Sequence, residues 1–91
     1  MYFELDVRKQ AINLHKHGID LKDAAQVFLD SQRLDVSDHR KDYGEERRLT
    51  VGLAYDRVWV VVYTQRADAI RLISARKANE REQKRYHALR A

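Results

Sequence analysis

The segment Val58–Tyr63 (VWVVVY) constrains the fold of this chain more than any other stretch of its sequence. Successive residues of a strand point to opposite faces of the sheet, and here both sets are apolar, which is typical of a central strand. The chain has 91 residues, enough for one hydrophobic core but not for two. We therefore expect a single domain over residues 1–91, organised around this strand.

Two further strands are predicted beside the central one. In residues 49–55, large apolar side chains alternate with the small residues Thr50, Gly52 and Ala54. Residues 69–75 follow the central strand after a turn at residues 65–68. Because the connections are short, the three strands are expected to form an antiparallel meander.

An arginine interrupts the last of these strands. Alternation predicts that Arg71 shares a face with Ile73 and Ala75, whereas the even-numbered residues of 70–74 share the opposite face. A charged side chain in mid-strand must reach water, pair with a carboxylate or bind a ligand. Arg71 is therefore a candidate functional residue.

Two short helices joined by a tight turn are predicted near the N-terminus. Asp6 is expected to cap the first helix, Gly18 to end it with a left-handed backbone, and Asp20 to cap the second. Spacings of three and four residues predict the core-facing stripes. These are Val7, Ala11, Ile12 and Leu14 in the first helix, and Leu21, Ala24, Ala25 and Phe28 in the second.

The remaining elements complete an α+β fold. A short edge strand is expected at Phe3–Leu5, another strand at Leu34–Val36, a turn-rich segment over residues 37–44, and a final helix near Asn79. Glu82 completes a capping box with Asn79. The predicted order is β-α-α-β-β-β-β-α, with the helices packed on one side of an antiparallel sheet.

Charge and composition narrow the possible functions. The net charge is +4, yet residues 66–91 carry eight Lys and Arg against three Asp and Glu. This basic end predicts a surface for nucleic acid or an acidic partner, the alternative being a solvated helix face. The absence of cysteine excludes disulfides, thiolate zinc sites and a cysteine nucleophile. No apolar run is long enough to span a membrane and no signal-peptide pattern is present, so a cytoplasmic protein is expected.

Several segments of the sequence resemble one known family. They are Phe3–Asp6, Asn13–Ile19, Ala24–Phe28, Glu45–Arg47, Val60–Thr64 and Ile70–Ala78, followed by Glu82, Arg85 and Tyr86. In order and spacing these segments resemble BrnT proteins, the toxins of bacterial type II toxin–antitoxin pairs. The family's usual Trp-Asp-Pro opening is Leu5-Asp6-Val7 here, and the turn at Asp56 is shorter than in many relatives.

The resemblance implies a RelE-like fold and a ribonuclease that inhibits translation. It implies an RNA substrate and a BrnA-like, DNA-binding antitoxin that neutralises the toxin. Operator DNA is then reached only through the antitoxin complex, and no cofactor, metal or membrane is implied. A non-catalytic nucleic-acid-binding module, or a corepressor acting with the antitoxin, is the alternative function.

Metal-independent RNA cleavage needs a proton acceptor, a proton donor and cations around the reacting phosphate. Arginine suits the cationic role because its planar fork binds two phosphate oxygens and stays charged. Arg71 and Arg76 match basic positions of the family motif and are the predicted cations. The alternative is that each forms a salt bridge, to Glu46, Asp68 or Glu80.

The predicted proton-transfer residues are His17 and Lys16, because histidine titrates near neutral pH and both match the family motif. Their alternative role is to stabilise the C-terminus of a helix. Glu46 and Tyr86 are less favoured candidates for proton transfer. The predicted RNA-binding residues are Arg47, Arg66, Lys77, Arg81 and Arg85.

Overall fold

The computed structural model describes residues 2–39 and 44–88, and its centre is a five-stranded sheet with the order β1-β5-β4-β3-β2. The strands are β1 (Tyr2–Glu4), β2 (Leu34–Asp38), β3 (Arg47–Ala54), β4 (Arg57–Arg66) and β5 (Ala69–Lys77). The helices are α1 (Val7–His17), α2 (Leu21–Ala24), a 3₁₀ helix (Ala25–Leu29) that continues α2, and α3 (Glu80–Ala88). This is the predicted element order. Of the predicted turn over residues 37–44, residues 40–43 lie outside the described residues, and Ser37 and Asp38 belong to β2.

The predicted central strand is β4, which lies in the middle of the sheet between β5 and β3. Its residues are buried without interruption from Val58 to Thr64. Strands β2 to β5 form the antiparallel part of the sheet. The expectation of a wholly antiparallel sheet is wrong at one edge, because β1 pairs with β5 in parallel. The sheet is therefore mixed.

Helices cover both faces of the sheet, so the prediction that all of them pack on one side is wrong. Trp59, Val61 and Tyr63 belong to a core that includes residues of α2 and the 3₁₀ helix. The alternate residues Val58 and Val60 pack instead with Tyr86 of α3. The physical reason lies in β4 itself, because a strand that is apolar on both faces needs cover on both.

Helix α1 attaches to the sheet through an amide side chain instead of its apolar stripe. Asn13 is its one buried residue. The side-chain amide of Asn13 donates to the carbonyl oxygens of Ile19 and Ala75, and its oxygen accepts from the Ala75 N–H, each at 2.9 Å. Since β1 pairs with β5 only at residues 69–71, α1 occupies the edge of β5 beyond it. The predicted apolar stripe faces outward, with Val7 78% and Leu14 51% exposed, and this prediction is wrong.

The local signals at the helix ends are confirmed. The Asp6 carboxylate accepts from the N–H groups of Arg8 and Lys9, and the Asp20 carboxylate accepts from that of Lys22. Gly18 has φ 72° and its N–H donates to Leu14, which ends α1. In each case a few neighbouring residues determine the geometry.

A glycine of β3 lets the second helix pack close to the sheet. A Cβ on Gly52 would lie 2.7 Å from Val27 Cγ1 and 3.0 Å from Arg33 Cβ. The helix tightens to 3₁₀ geometry after Ala24. Val27 is fully buried as a result, whereas Ala25, which was predicted to face the core, is only partly buried. The small residues Thr50, Gly52 and Ala54 thus form the β3 face beneath α2 and the 3₁₀ helix.

A bulge changes which residues of β5 share a face. Tyr63 lies opposite Leu72, but the preceding residue Val62 lies opposite Ser74, so β5 has one extra residue between these pairs. Ala75 is thereby placed on the face of Leu72, in the core beneath α2. The predicted pairing of Arg71 with Ala75 on one face is wrong, because strict alternation fails at the bulge.

We predict that Asn13→Asp destabilises the protein although the two side chains have the same shape. The new carboxylate would face the carbonyl oxygens of Ala75 and Ile19, to which the amide now donates. The free energy of unfolding at pH 7 should fall by about 2–4 kcal/mol, measured by chemical denaturation. Burial raises the pKa of such a carboxyl in the folded state, so the deficit should shrink as the pH falls towards 4.

A control separates this effect from the change of net charge. Gln26→Glu also replaces a side-chain amide with a carboxylate, but at an exposed position of the 3₁₀ helix. It should change the free energy of unfolding by less than about 0.5 kcal/mol. Equal losses in both variants would show that Asn13 does not hold α1 in place.

Candidate functional site

The bulge brings three polar side chains of β5 onto the face that carries α3. Across the sheet, Arg71 pairs with Thr64, Ser74 with Val62 and Arg76 with Val60. Val60 belongs to the core beneath α3, so the whole set points to that side. Two predicted site residues, Arg71 and Arg76, are thus on one face. Ser74, which we predicted on the opposite face from Arg71, joins them.

Arg71 is half-buried in the middle of β5. Among residues 2–39 and 44–88, no carboxylate lies within 4.0 Å of its guanidinium group. Glu4 is its Cα partner on β1, and the pKa of Asp6 is lowered mainly by backbone hydrogen bonds and slightly by the charge of Arg71. A guanidinium in this state retains its donors for an anionic ligand.

Arg76 is paired, although not with a carboxylate that the sequence suggested. Its two terminal nitrogens donate to the two carboxylate oxygens of Glu82 at 2.8 and 2.9 Å. The predicted partners Glu46, Asp68 and Glu80 are therefore wrong for Arg76. The hydrogen bonds from Arg76, with a further one from the Asn79 backbone, lower the pKa of Glu82. The Arg76 charge on this face is offset by a carboxylate.

Glu82 serves at the same time as a helix cap. Its carboxylate accepts from the Asn79 N–H at 2.8 Å, and the Asn79 side chain accepts from the Glu82 N–H at 2.8 Å. This confirms the predicted capping box. One carboxylate thus fixes the start of α3 and ties it to the end of β5.

The last turn of α1 lies against β5 near Ser74. Lys16, His17 and Lys9 line a shallow depression of about 160 Å³ together with Ile73 and Ser74. Asn13 holds the two elements together at this point through Ala75. Lys16 and His17 of α1 therefore lie near Ser74 of β5. Arg71 and Arg76 lie on the same face of β5 as Ser74.

The other candidates for proton transfer are engaged elsewhere. Tyr86 is buried, and its hydroxyl group donates to the Asp30 carboxylate. The Glu46 carboxylate lies 3.8 Å from Arg48. Tyr86 packs against β4, which was its favoured interpretation.

The predicted RNA-binding residues occupy several parts of the surface. Arg81 and Arg85 are exposed on α3, and Arg47 begins β3 opposite Asp38 with its Nε buried. Arg66 lies at the end of β4, 3.9 Å from Glu45. Lys77 is exposed at the end of β5, and its strand partner Trp59 belongs to the other core.

An apolar groove separates α3 from the outer strands of the sheet. It has a volume of about 220 Å³. It is lined by Leu34, Asp35, Val36, Leu49, Val51 and Val60, with Glu82 and Arg85 contributed by α3. The groove adjoins the Arg76–Glu82 pair, which places an apolar surface next to the candidate site.

Sequence reasoning missed a polar network on the opposite face. Asp35 accepts hydrogen bonds from Arg33 and Arg48 at 2.6 Å each, and from the Tyr63 hydroxyl group. The pKa of Tyr63 is raised, first by burial and then by Asp35, and the pKa of Arg48 is raised by Asp35. Arg33 also donates to Thr50. This network holds the edge strand β2 onto β3 and engages both arginines internally.

Within residues 2–39 and 44–88, no group of three or more His, Cys, Asp or Glu side chains could hold a metal ion. In the same ranges, no helix has the length and apolar character that crossing a membrane requires.

A family model described as ribonuclease toxin, BrnT, of type II toxin–antitoxin system matches residues 5–82, which is most of the chain. No curated protein matches the sequence.

We predict a graded loss of stability when Glu82 is replaced. Glu82→Gln keeps an acceptor for the Asn79 N–H but loses the charge opposite Arg76, and should cost less than about 1 kcal/mol. Glu82→Ala loses both and should cost about 1–2 kcal/mol in chemical denaturation at pH 7.

The pH dependence provides an internal check. The lowered pKa of Glu82 means that its contribution is present above the pKa of the unfolded state, about 4.3, and is lost as the pH falls through the folded-state value. The difference between wild type and Glu82→Gln should therefore shrink as the pH decreases from 6 to 3. A difference that stays constant would contradict the ion-pair assignment.

Proposed function

This chain belongs to the BrnT family of ribonuclease toxins of type II toxin–antitoxin systems, and we propose that it cleaves RNA internally, without a metal ion, at the β5 surface. The observation that carries this proposal is the bulge, which groups Arg71, Ser74 and Arg76 on one face. Arg71 has no carboxylate partner among the described residues. It is thus the side chain best suited to receive a phosphate.

The proposed reaction uses the RNA's own 2′-hydroxyl group as the nucleophile. The 2′-oxygen loses its proton and attacks the adjacent phosphorus, and the bond from phosphorus to the 5′-oxygen breaks. The products are a 2′,3′-cyclic phosphate and a 5′-hydroxyl group, so no water or cofactor is consumed. Negative charge grows on the phosphate oxygens in the transition state, and a fixed guanidinium stabilises it there more than in the substrate.

Arg71 is the principal cation in this mechanism. Its planar fork donates two parallel hydrogen bonds to phosphate oxygens. Arg76 contributes less, because Glu82 offsets its charge and occupies both of its terminal nitrogens. Ser74 lies between them on the same face and supplies a neutral donor.

His17 and Lys16 supply the proton transfers from the other side of Ser74. His17 takes the proton from the 2′-hydroxyl group, because an imidazole nitrogen can act as a general base. Lys16, which lines the same depression, gives a proton to the leaving 5′-oxygen. Both residues end α1, whose contact with Ala75 through Asn13 fixes their position beside β5.

The RNA strand extends from this point over the basic surfaces around it. Arg81 and Arg85 on α3 lie next to the Arg76–Glu82 pair, and Arg47 begins β3, which β4 separates from β5. Arg66 and Lys77, at the ends of β4 and β5, bind more distant parts of the strand. These contacts go to phosphates, so they give affinity with little sequence preference.

The family supplies the biological setting of this activity. A type II system implies an antitoxin partner, and we propose that this antitoxin is BrnA-like and binds DNA, so that the toxin reaches operator DNA only through it. We also propose a single RelE-like domain over residues 1–91 that acts in the cytoplasm and inhibits translation by cleaving RNA.

We predict that antitoxin-free protein cleaves labelled RNA in the presence of EDTA. Arg71→Ala should reduce the rate about 100-fold, because one transition-state donor is lost. Arg76→Ala should have a smaller effect, since its charge is already offset. His17→Ala should reduce the rate at least tenfold. The measurement is the single-turnover rate on a gel, with the cyclic phosphate end identified by mass spectrometry.

The control is Arg57→Ala, which removes an exposed arginine at the start of β4, away from the face of Arg71. It should leave the rate within twofold of wild type. A shifted band without shorter products would instead support the non-catalytic binding module. Dependence of cleavage on added Mg²⁺ would contradict the metal-independent mechanism.

A further inference from the structure

The outer side of α1 carries apolar side chains that the rest of the described residues, 2–39 and 44–88, leave exposed. At roughly 100° per residue, Leu14, Val7, Ala11 and Ile12 fall within about 160° of the helix circumference. All four are exposed, with Val7 78%, Ile12 63% and Leu14 51% accessible. We call these four residues the outer side of α1. The spacing of Val7, Ala11 and Leu14 is that of a helix-packing stripe, yet it faces away from the core.

The inverted orientation of α1 is fixed by specific hydrogen bonds. The three contacts of Asn13 hold the opposite side of the helix against β5, so α1 cannot rotate its apolar stripe inward without losing them. Apolar side chains left outside by such a rigid attachment mark an interaction surface.

The charges that α1 places on this surface are of one sign, whereas Asp20 and Asp23 adjoin it at Leu14. Within Val7–His17 every ionisable side chain is basic, and the helix contains no carboxylate. Arg8 and His15 lie between Ala11 and Ile12 on the helix circumference and are exposed. The Asp6 carboxylate at the N-terminus is occupied by the N–H groups of Arg8 and Lys9. A partner for this surface therefore needs apolar side chains with carboxylates beside them.

We propose that the outer side of α1 is the docking site for an acidic amphipathic helix of the antitoxin. Apolar residues of that helix pack on Val7, Ala11 and Leu14, and its carboxylates lie beside Arg8. The inference rests on the proposed function in one respect, namely that an antitoxin neutralises this chain.

Other occupants fit the surface less well. A second copy of the chain would bring two uniformly basic helices together, which like-charge repulsion opposes. An anionic membrane would attract the basic residues, but the outer side has no aromatic residue and only four apolar ones, one of them alanine. Charge and composition together favour a protein helix.

The test measures the affinity of this protein for its purified antitoxin. Val7→Glu and Leu14→Glu should each weaken binding at least tenfold, because each puts a carboxylate into an apolar, acid-facing contact. Leu29→Glu is the matched control, since Leu29 is 79% exposed on the 3₁₀ helix, close to the exposure of Val7. It should bind like wild type. Arg8→Glu should weaken binding and reduce its dependence on salt.

Thermal unfolding shows whether each variant is folded. Val7 is the most exposed of the four residues, so Val7→Glu remains informative if Leu14→Glu does not fold. Wild-type affinity in Val7→Glu would overturn the proposal. So would a concentration-dependent dimer that Val7→Glu dissociates. Binding to phosphatidylserine vesicles that Val7→Glu abolishes, with antitoxin affinity unchanged, would assign the surface to a membrane instead.

The outcome is separable from that of the nuclease proposal. RNA cleavage by antitoxin-free wild type tests the nuclease alone, and Val7 and Leu14 take no part in its mechanism. An inert protein whose antitoxin binding still depends on Val7 would refute the nuclease and leave the docking site standing. If the protein cleaves RNA but Val7→Glu and Leu14→Glu both bind the antitoxin like wild type, the docking site is refuted and the nuclease proposal stands.

Discussion

The side-chain amide of Asn13, paired with both backbone groups of Ala75, is the contact on which the rest of this molecule depends. It satisfies a strand edge that β1 leaves open, because β1 covers only residues 69–71 of β5. An unpaired buried N–H or carbonyl is costly, so the amide must stay in place. In doing so it fixes the rotation of α1. The C-terminal turn of α1, with Lys16 and His17, is held beside β5, and the apolar residues of the helix are left facing outward.

The β-bulge opposite Val62 and Tyr63 is the second constraint, and it acts on the same strand. One extra residue reverses the facing of every side chain after it. Without the bulge, Arg71 and Arg76 would lie on opposite faces, since they are five positions apart. With it, both point to the side of α3, and Ser74 lies between them. The bulge therefore determines the face on which Arg71 and Arg76 lie, just as Asn13 determines where Lys16 and His17 lie.

The parts of the fold that sequence predicts are those decided by neighbouring residues. The caps at Asp6, Asp20 and Asn79, and the left-handed stop at Gly18, each depend on three or four residues in a row. The central strand β4 follows from its own composition. The orientation of α1 depends on Ala75, 62 residues further along the chain, and the second helical layer depends on the packing of α3 against β4. The bulge could not be predicted because the sequence of β5 has the pattern of a regular strand. The Asp35 network was also missed, because its members come from three strands and a loop.

The arginines differ in whether a carboxylate compensates their burial. Arg33 and Arg48 share Asp35, and Arg76 is bound to Glu82, so burial of each is compensated by a carboxylate. Arg71 is half-buried and lacks such a partner among the described residues. A guanidinium without a carboxylate partner and an outward apolar stripe both weaken an isolated domain. Under the two proposals made above, a phosphate compensates the first and an acidic helix the second. We propose that both features belong to a nuclease that binds RNA when alone and is covered when its antitoxin is present.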